Sequence, residues 1–281
     1  MSKKTVVLRA SRLDIDGPVV TFSHQSPATR NAMSPDLQRD YVELCQQVRD
    51  DRSLRALIIT GSQGSFCAGG NVKQMHERLQ SQDKALNSPD ATRRRLEDAQ
   101  LWLAQLRELD IPVIAAVNGP AYGAGFGLAL QADFILASTK ASFCMSFARV
   151  GALPDYGAFF TLPRIVGLNN AKDLMLTARR VDAAEAKSLG LVQHIHAPDV
   201  LLSQAVDFAR RLARGPVEAI SLTRKLLNKS FENDYATMAQ FEALAQAICM
   251  STDYHVQAAA RFSEGKSAQY DWDRDTQATS Q

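Results

Sequence analysis

Residues 113–133, VIAAVNGPAYGAGFGLALQAD, carry the strongest local pattern in the chain. The stretch opens with five apolar residues, bounded by a proline on one side and an Asn-Gly-Pro turn on the other, which is typical of a buried strand. Gly123, Gly125 and Gly127 follow and permit tight turning and close approach of another backbone. An apolar run at 128–130 then indicates a helix. We therefore predict a strand, a glycine-rich turn and a helix.

The start of the predicted helix has two open interpretations. The first N–H groups of a helix lack partners and carry partial positive charge, so they could stabilise negative charge on a substrate. The glycines could equally serve close packing alone. Two nucleotide sites are disfavoured, because the spacing is not G-x-G-x-x-G and no Gly-Lys-Ser/Thr ending is present. This stretch alone leaves both interpretations open.

The composition excludes several classes of protein. Over 281 residues, 46% are hydrophobic and 22% are charged, which is typical of a globular domain with a large core. A net charge of +2 gives no signal for a nucleic-acid or membrane partner. No apolar run approaches the roughly 18 residues that span a membrane. The N-terminal apolar run is too short for a signal peptide, and the four cysteines are scattered. We expect a soluble, cytoplasmic protein.

The order of patterns along the chain predicts an α/β fold. Residues 5–9 and 18–23 are predicted to pair as strands through an Asp-Gly turn. Strand and helix patterns then alternate through the region 1–197, and helices alone follow in the region 198–267. Residues 268–281 are polar and predicted to form a loose tail.

A second turn of small residues completes a recognisable set of motifs. The motifs stand in an order and spacing that resemble the crotonase family, also called the enoyl-CoA hydratase/isomerase superfamily, over roughly residues 5 to 265. They are RNAM at 30–33, FCAGGNVK at 66–73, VNGPAYGAG at 117–125 and GALPD at 151–155. The resemblance implies a crotonase-like spiral of β-β-α turns that binds acyl-CoA and carries out catalysis, followed by a C-terminal helical region that supports trimers or pairs of trimers.

The resemblance also implies a site and its donors. Members of the family bind acyl-CoA thioesters and place two backbone N–H groups on the thioester oxygen. The matching residues here are Ala68 and Ala124. Such fixed donors stabilise the enolate that forms when the α-proton leaves, and one of them is typically worth about 3 kcal/mol of barrier. No separate cofactor is expected, because the substrate itself arrives as the coenzyme A thioester.

Departures from the family pattern point to one carboxylate. Hydratases of the family carry two glutamates, whose places hold Gly127 and Phe147 here. Isomerases instead place a carboxylate where Asp155 stands, so Asp155 is predicted to be the general base of a 3-enoyl to 2-enoyl-CoA isomerase. Aromatic side chains nearby would exclude water and raise its basicity; they are Phe126, Phe143, Phe147 and Phe159. Without the resemblance, Asp155 could equally cap the helix that begins near Ala158.

The same resemblance implies contacts to coenzyme A. Arg30 and Ala32 are expected beside the pantetheine arm. The first turn supplies the expected adenine contacts, which are Ala68, Gly70, Asn71 and Val72. Tyr122 and Gly123 belong to the second motif and are predicted to contact the substrate together with Phe147. Phe262 and Lys266 match a segment that often reaches the CoA of a neighbouring subunit.

Other activities remain open at the level of sequence. A ring-epoxide phenylacetyl-CoA isomerase would use the same residues, and a 2-enoyl-CoA hydratase could position water through the backbone and Asp155. A dehalogenase would need a histidine in the helix at 91–109, which has none. A non-enzymatic or RNA-binding relative is the remaining alternative, and the near-neutral charge argues against RNA. His194 and His196 could share a strand face, but no third metal ligand is apparent.

Overall fold

The computed structural model describes residues 3–273 of the chain. Within these residues the strands form a seven-stranded sheet and a three-stranded sheet. The strands are β1 (Lys4–Val7), β2 (Ser11–Asp16), β3 (Val19–His24), β4 (Ala56–Gly61), β5 (Val113–Val117), β6 (Pro120–Tyr122), β7 (Phe134–Ser138), β8 (Ser142–Cys144), β9 (Arg180–Asp182) and β10 (His194–His196). The large sheet has the order β1-β2-β3-β4-β5-β7-β10, and the small one β6-β8-β9. Residues 274–281 of the predicted tail lie outside the described residues.

The helices of residues 3–273 follow the strands in alternation and then continue alone. They are α1 (Pro35–Asp50), α2 (Val72–Leu79), α3 (Pro89–Arg107), α4 (Ala124–Ala129), α5 (Ala158–Val166), α6 (Leu168–Thr177), α7 (Ala183–Ser188), α8 (Leu201–Ala213), α9 (Val217–Lys229), α10 (Tyr235–Met250) and α11 (Asp253–Ser263). The predicted α/β class is confirmed. None of the helices in the described part of the chain is long and apolar enough to cross a membrane.

The start of the large sheet differs from the prediction. Strand β1 pairs with β2, and β2 in turn pairs antiparallel with β3, so β2 lies between the two strands that were predicted to pair directly. The turn at Asp16 and Gly17 therefore joins β2 to β3, not β1 to β3. The alternation of Leu13 and Ile15 with charged residues is the strand signal of β2. The prediction was wrong because it treated this segment as a connection.

The centre of the sheet is parallel and buried on both faces. Strands β3, β4, β5, β7 and β10 run parallel to one another. Every residue of β4 and β5 is buried, as expected for parallel strands covered on both faces. Helix α8 covers one face through its buried residues Leu201, Ala205, Phe208 and Ala209. The carboxyl ends of β4 and β5 lead into the two turns of small residues.

Helix α1 shows how local sequence sets an element. Ser34 accepts a hydrogen bond from the Leu37 N–H, and Pro35 occupies the first turn, where no donor is needed. Its buried face includes Leu37, Tyr41, Leu44 and Val48. The C-terminal helices behave differently, since α10 and α11 bury no residue. A large apolar surface on these two helices is therefore open in the isolated chain.

Candidate active site

The two turns of small residues lie side by side. After β4, the Cys67 N–H donates to the Pro120 oxygen at 3.1 Å, and the Cys67 oxygen accepts from the Tyr122 N–H at 3.0 Å. These reciprocal bonds form a parallel bridge between Cys67 and Ala121. The first turn is thereby held to the second by hydrogen bonds of its own backbone.

Glycines are required where the two turns touch. A Cβ on Gly125 would overlap the Cys67 carbonyl oxygen, and a Cβ on Gly69 would lie 2.5 Å from the Tyr122 oxygen. The same atom would lie 3.4 Å from the Ala124 nitrogen, which places Gly69 directly against the second donor. Gly69 also has a positive φ of 92°, which disfavours other residues. Close packing therefore accounts for glycine at both positions, and the interpretation as a site for a ligand stays a prediction.

The two expected N–H donors differ in whether they already have a hydrogen-bond partner. Ala124 is the first residue of α4, and within residues 3–273 no backbone acceptor is found for its N–H. The Ala68 N–H, in contrast, donates to the Arg30 oxygen at 3.0 Å. Arg30 reaches this position because its φ of 53° lies in the left-handed region. A thioester oxygen can use the Ala68 donor only if it replaces the Arg30 carbonyl or shares the N–H with it.

Asp155 lies beside α4 and is shielded from water. The backbone oxygen of Asp155 would be 3.2 Å from a Cβ on Gly127, one turn along the helix from Ala124. Its side chain is largely buried, and Oδ1 is sealed from solvent without a hydrogen-bond partner among the described residues. Burial raises the pKa of the Asp155 carboxyl from 3.8 to about 6, against the lowering effect of its own backbone N–H. Such a pKa suits a base that works near neutral pH.

The alternative role of Asp155 as a helix cap is wrong. Helix α5 has Gly157 as its N-cap residue, and no side chain caps it. Asp155 contributes only its backbone oxygen, which accepts from the Ala158 N–H at 3.1 Å. The carboxylate is therefore not needed for the turn, and the burial of Oδ1 without a partner is a cost that local structure does not explain.

The places of the two hydratase glutamates are filled by other atoms. Tyr156 adopts a φ of 54°, which brings its own Cβ within 2.7 Å of the position that a Cβ on Gly127 would take. No side chain fits at Gly127 unless the turn at Asp155 and Tyr156 moves. At the second place, the Phe147 ring packs on the glycine turn, 3.7 Å from the position of a Cβ on Gly123.

The predicted aromatic walls divide into three kinds. Phe126 and Phe143 are fully buried in the main core and pack against each other with ring centroids 5.3 Å apart. These two residues therefore belong to the core that supports the site. Phe147 is partly buried and contacts the second turn. Phe159 is 58% exposed and does not close the site within this chain, so the prediction of a wall at that position is wrong for the isolated chain.

The residues expected to contact coenzyme A lie around the first turn. Arg30 is exposed, Ala32 is buried, and Gly70 is exposed where Met33 bridges to it. Asn71 caps α2 by accepting from the Gln74 N–H at 3.1 Å, so this side chain also has a structural role.

The remaining residues expected to contact substrate or coenzyme A lie in two separate regions. Val72 is 59% exposed at the start of α2, and the Tyr122 hydroxyl contacts the Ser142 hydroxyl at 3.0 Å. Phe262, at the end of α11, is 87% exposed, and Lys266 pairs with Glu264. No hydrogen bond or ring contact within residues 3–273 links Phe262 or Lys266 to the two turns. Their predicted role toward a neighbouring subunit stays a prediction.

The histidine pair does not form a metal centre within the described residues. His194 and His196 lie on β10 with ring centroids 6.2 Å apart, as the shared strand face predicted. No group of three or more potential ligands is found among residues 3–273. His24 has a more informative position, because it is fully buried and contacts the first turn. Its sequence signal is a polar residue at the end of a buried strand.

Comparisons with known proteins match the chain to one family over most of its length. The enoyl-CoA hydratase/isomerase family model matches residues 15–273. Carnitinyl-CoA dehydratase of Salmonella arizonae is 35% identical over 80% of this chain and 84% of that protein. The 1,2-epoxyphenylacetyl-CoA isomerase of Escherichia coli is 30% identical over 85% of this chain and 90% of that protein.

A solved structure extends the agreement to three dimensions. The enoyl-CoA hydratase/isomerase structure from Cupriavidus metallidurans superimposes with a TM-score of 0.88 at 34% identity, and it covers 94% of this chain and 97% of that one. The chain belongs to the enoyl-CoA hydratase/isomerase family, and the resemblance to crotonases is confirmed.

Proposed function

We propose that the protein isomerises 3-enoyl-CoA to 2-enoyl-CoA, with Asp155 as the general base. The observation that carries this proposal is the largely buried carboxylate without a partner on Oδ1, beside the helix that begins with the free Ala124 N–H. A carboxylate held in this state is poor as a structural element but suited to proton transfer. The amide of Ala124 is suited to the negative charge that proton removal creates.

The proposed reaction moves one proton and consumes nothing. The thioester oxygen accepts hydrogen bonds from Ala124 and from Ala68, where it displaces the Arg30 carbonyl. Asp155 removes the α-proton, and the electrons of that C–H bond spread over the dienolate as far as the thioester oxygen. The protonated Asp155 then returns the proton to the γ carbon, so the double bond becomes conjugated with the carbonyl. The base is restored at the end of the cycle.

Hydration is disfavoured by the shape of the site. Addition of water needs one group to activate the water and another to deliver a proton. The two family positions for these groups are Gly127, where the Cβ of Tyr156 leaves no room, and Phe147, which is apolar. The names of relatives include a hydratase, a dehydratase and an isomerase, so they do not favour one reaction over the others.

A ring-epoxide phenylacetyl-CoA isomerase is the second candidate function. One relative, 30% identical, is named for that reaction, and the match spans 85% of this chain and 90% of that protein. The same donors and the same carboxylate would serve a thioester enolate in either substrate. The acyl group therefore has to be found by experiment.

The substrate and assembly complete the proposal. The acyl group arrives as a coenzyme A thioester, with the exposed residues around the first turn as its binding surface. The apolar surface of α10 and α11 supports assembly into trimers or pairs of trimers through the region 198–267, because large exposed apolar patches mark interfaces. We place the protein in the cytoplasm.

The experiment compares three proteins on three thioesters. Purified wild-type protein, Asp155→Asn and the control Asp50→Asn, whose carboxylate is exposed on α1, are given 3-hexenoyl-CoA, crotonyl-CoA and 2,3-epoxyphenylacetyl-CoA. We expect conjugation of 3-hexenoyl-CoA by the wild type and the control, and a loss of about 10³-fold or more in Asp155→Asn, in the range found when an essential catalytic group is removed. Full turnover by Asp155→Asn would remove the assignment.

A further inference from the structure

A buried series of rings, called here the ring series, connects the first donor turn to the turn that carries Asp155. His24 is 0% exposed at the end of β3, with Nδ1 2.8 Å from the Phe66 oxygen and Nε2 2.7 Å from the Tyr41 hydroxyl. Tyr41 stacks on Trp102 with ring centroids 4.6 Å apart. Trp102 meets the Tyr156 ring edge-on at 5.7 Å. The ring series therefore begins at Phe66, two positions before Ala68, and ends at Tyr156, the residue after Asp155.

The hydrogen-bond partners of His24 determine which atoms of the ring series carry a proton. A carbonyl oxygen can only accept, so His24 Nδ1 must carry the proton that is donated to Phe66. Burial lowers the His24 pKa to about 4, so the ring is neutral and Nε2 is an acceptor. Nε2 then accepts from the Tyr41 hydroxyl, whose pKa burial raises well above 10. The two hydrogen bonds thus have one direction, from Tyr41 through His24 to Phe66, across the neutral pH range.

The carbonyl that His24 holds controls the orientation of the first donor. The Phe66 oxygen shares a peptide plane with the Cys67 N–H, which donates to the Pro120 oxygen. That plane is therefore fixed at both ends. The next plane contains the Ala68 N–H and the Cys67 oxygen, which accepts from Tyr122. The two planes share the Cys67 Cα, so a displacement of the first plane would move that atom and shift the second plane with it.

The other end of the ring series supports the turn that carries Asp155. Tyr156 is 5% exposed and has a positive φ, which is uncommon for a bulky residue and needs support from its surroundings. The Trp102 ring provides this support on one side. Asp155 precedes Tyr156 directly, so movement of the Tyr156 ring would move the carboxylate relative to α4.

We propose that His24 and Tyr41 are positioning residues that set the first oxyanion donor relative to the base. This inference rests on the oxyanion role given to Ala68 in the proposed function. Neither side chain touches the substrate, since both are fully buried beneath the first turn. Their contribution is to hold the Phe66 carbonyl at one end and the stack on Trp102 at the other.

The test uses a spectroscopic signal that a purely structural role would not change. A dienoyl-CoA such as 2,4-hexadienoyl-CoA absorbs further to the red when hydrogen bonds polarise its carbonyl. Tyr41→Phe keeps the ring stack but removes the hydroxyl, so the hydrogen bond to His24 Nε2 is lost. The matched control is Ser11→Ala, because Ser11 donates a buried 2.7 Å hydrogen bond to Asp40, the neighbour of Tyr41 on α1. Thermal unfolding of both variants confirms that they are folded.

The expected results separate positioning from stability. In Tyr41→Phe we expect the red shift of bound hexadienoyl-CoA to shrink and kcat for 3-hexenoyl-CoA to fall about tenfold, with KM within about twofold, because small misplacements of a catalytic group act on the transition state. Ser11→Ala should keep the shift and kcat. A His24→Gln, Tyr41→Phe double variant should lose no more than the larger single loss, since the two residues act as one unit.

The outcomes also distinguish this inference from the proposed reaction. A wild-type red shift without isomerisation would contradict the proposed reaction, while the variants would still test positioning through the shift alone. Full red shift and full kcat in Tyr41→Phe would overturn the inference, and so would equal losses in Tyr41→Phe and Ser11→Ala.

Discussion

Replacing Asp155 by asparagine should stabilise the protein, and more so at high pH. The amide has nearly the size of the carboxyl group but stays neutral. The carboxyl has a pKa of about 6 in the folded protein against an ordinary value of 3.8. Since a tenfold change in a dissociation constant is worth about 1.4 kcal/mol, ionised Asp155 costs the folded state about 3 kcal/mol.

The sign of the pH dependence follows from the raised pKa. Between pH 4 and pH 6 the unfolded chain has released a proton that the folded protein still holds, so wild-type stability falls as pH rises through this window. Above about pH 6 both states are ionised and the full cost is present. Asp155→Asn lacks this dependence. The variant should therefore be more stable than the wild type by about 1 kcal/mol at pH 4.5 and about 3 kcal/mol at pH 8.

Urea unfolding followed by circular dichroism measures both differences. The variant and the wild type are compared at the two pH values under equal ionic strength, with Asp50→Asn as the control. That exposed control should change the free energy of unfolding by less than about 0.5 kcal/mol at either pH. A difference between Asp155→Asn and wild type that is the same at both pH values would refute the reasoning, as would destabilisation at pH 8.

Three further predictions concern the turns, the C-terminal helices and the base. Gly125→Ala would press a methyl group into the Cys67 carbonyl, so we expect a loss of more than about 2 kcal/mol in urea unfolding, and an unchanged midpoint would contradict the packing. Arg224→Met removes the guanidinium of α9 that pairs with Asp133 at 2.6 Å and leaves that partly buried carboxylate with the Val113 N–H as a partner; calorimetry should show a loss of about 1–3 kcal/mol, and a neutral effect would show that this pair does not anchor α9. Because Asp155 must be ionised to act as a base, kcat should rise with pH through about 6, and a flat profile from pH 5 to 8 would argue against it.

Local signals in the sequence were sufficient for the long elements. The bounds of helix α1 follow from local sequence, because Ser34, Pro35 and a spaced apolar face act within the helix itself. The buried strands β4 and β5 follow from runs of four and five apolar residues between turn signals, which is typical of buried strands.

Short elements could not be predicted because distant partners stabilise them. Strands β6 and β9 have three residues each, and both depend on pairing with β8. Nothing within three residues specifies such a pairing. Helix α11, in contrast, carries a cap at Thr252 and could have been predicted from it.

The composition of the candidate site comes from the sequence resemblance, and the roles of its residues stay predictions. The resemblance supplied Ala68, Ala124 and Asp155, and the fold brings the two turns together. The capture of the Ala68 N–H by Arg30 depends on a left-handed backbone at Arg30, which an arginine rarely adopts and no local pattern announces. The contact between His24 and the first turn joins residues 42 positions apart, so only the fold reveals it.

The mass of the product made from 3-hexenoyl-CoA tests the central claim most directly. Isomerisation with Asp155 as the base leaves the mass of the thioester unchanged while conjugated absorbance appears, and Asp155→Asn should give neither the absorbance nor a new species. A product heavier by one water molecule, formed equally by the wild type and by Asp155→Asn, would contradict both the proposed reaction and the role given to Asp155.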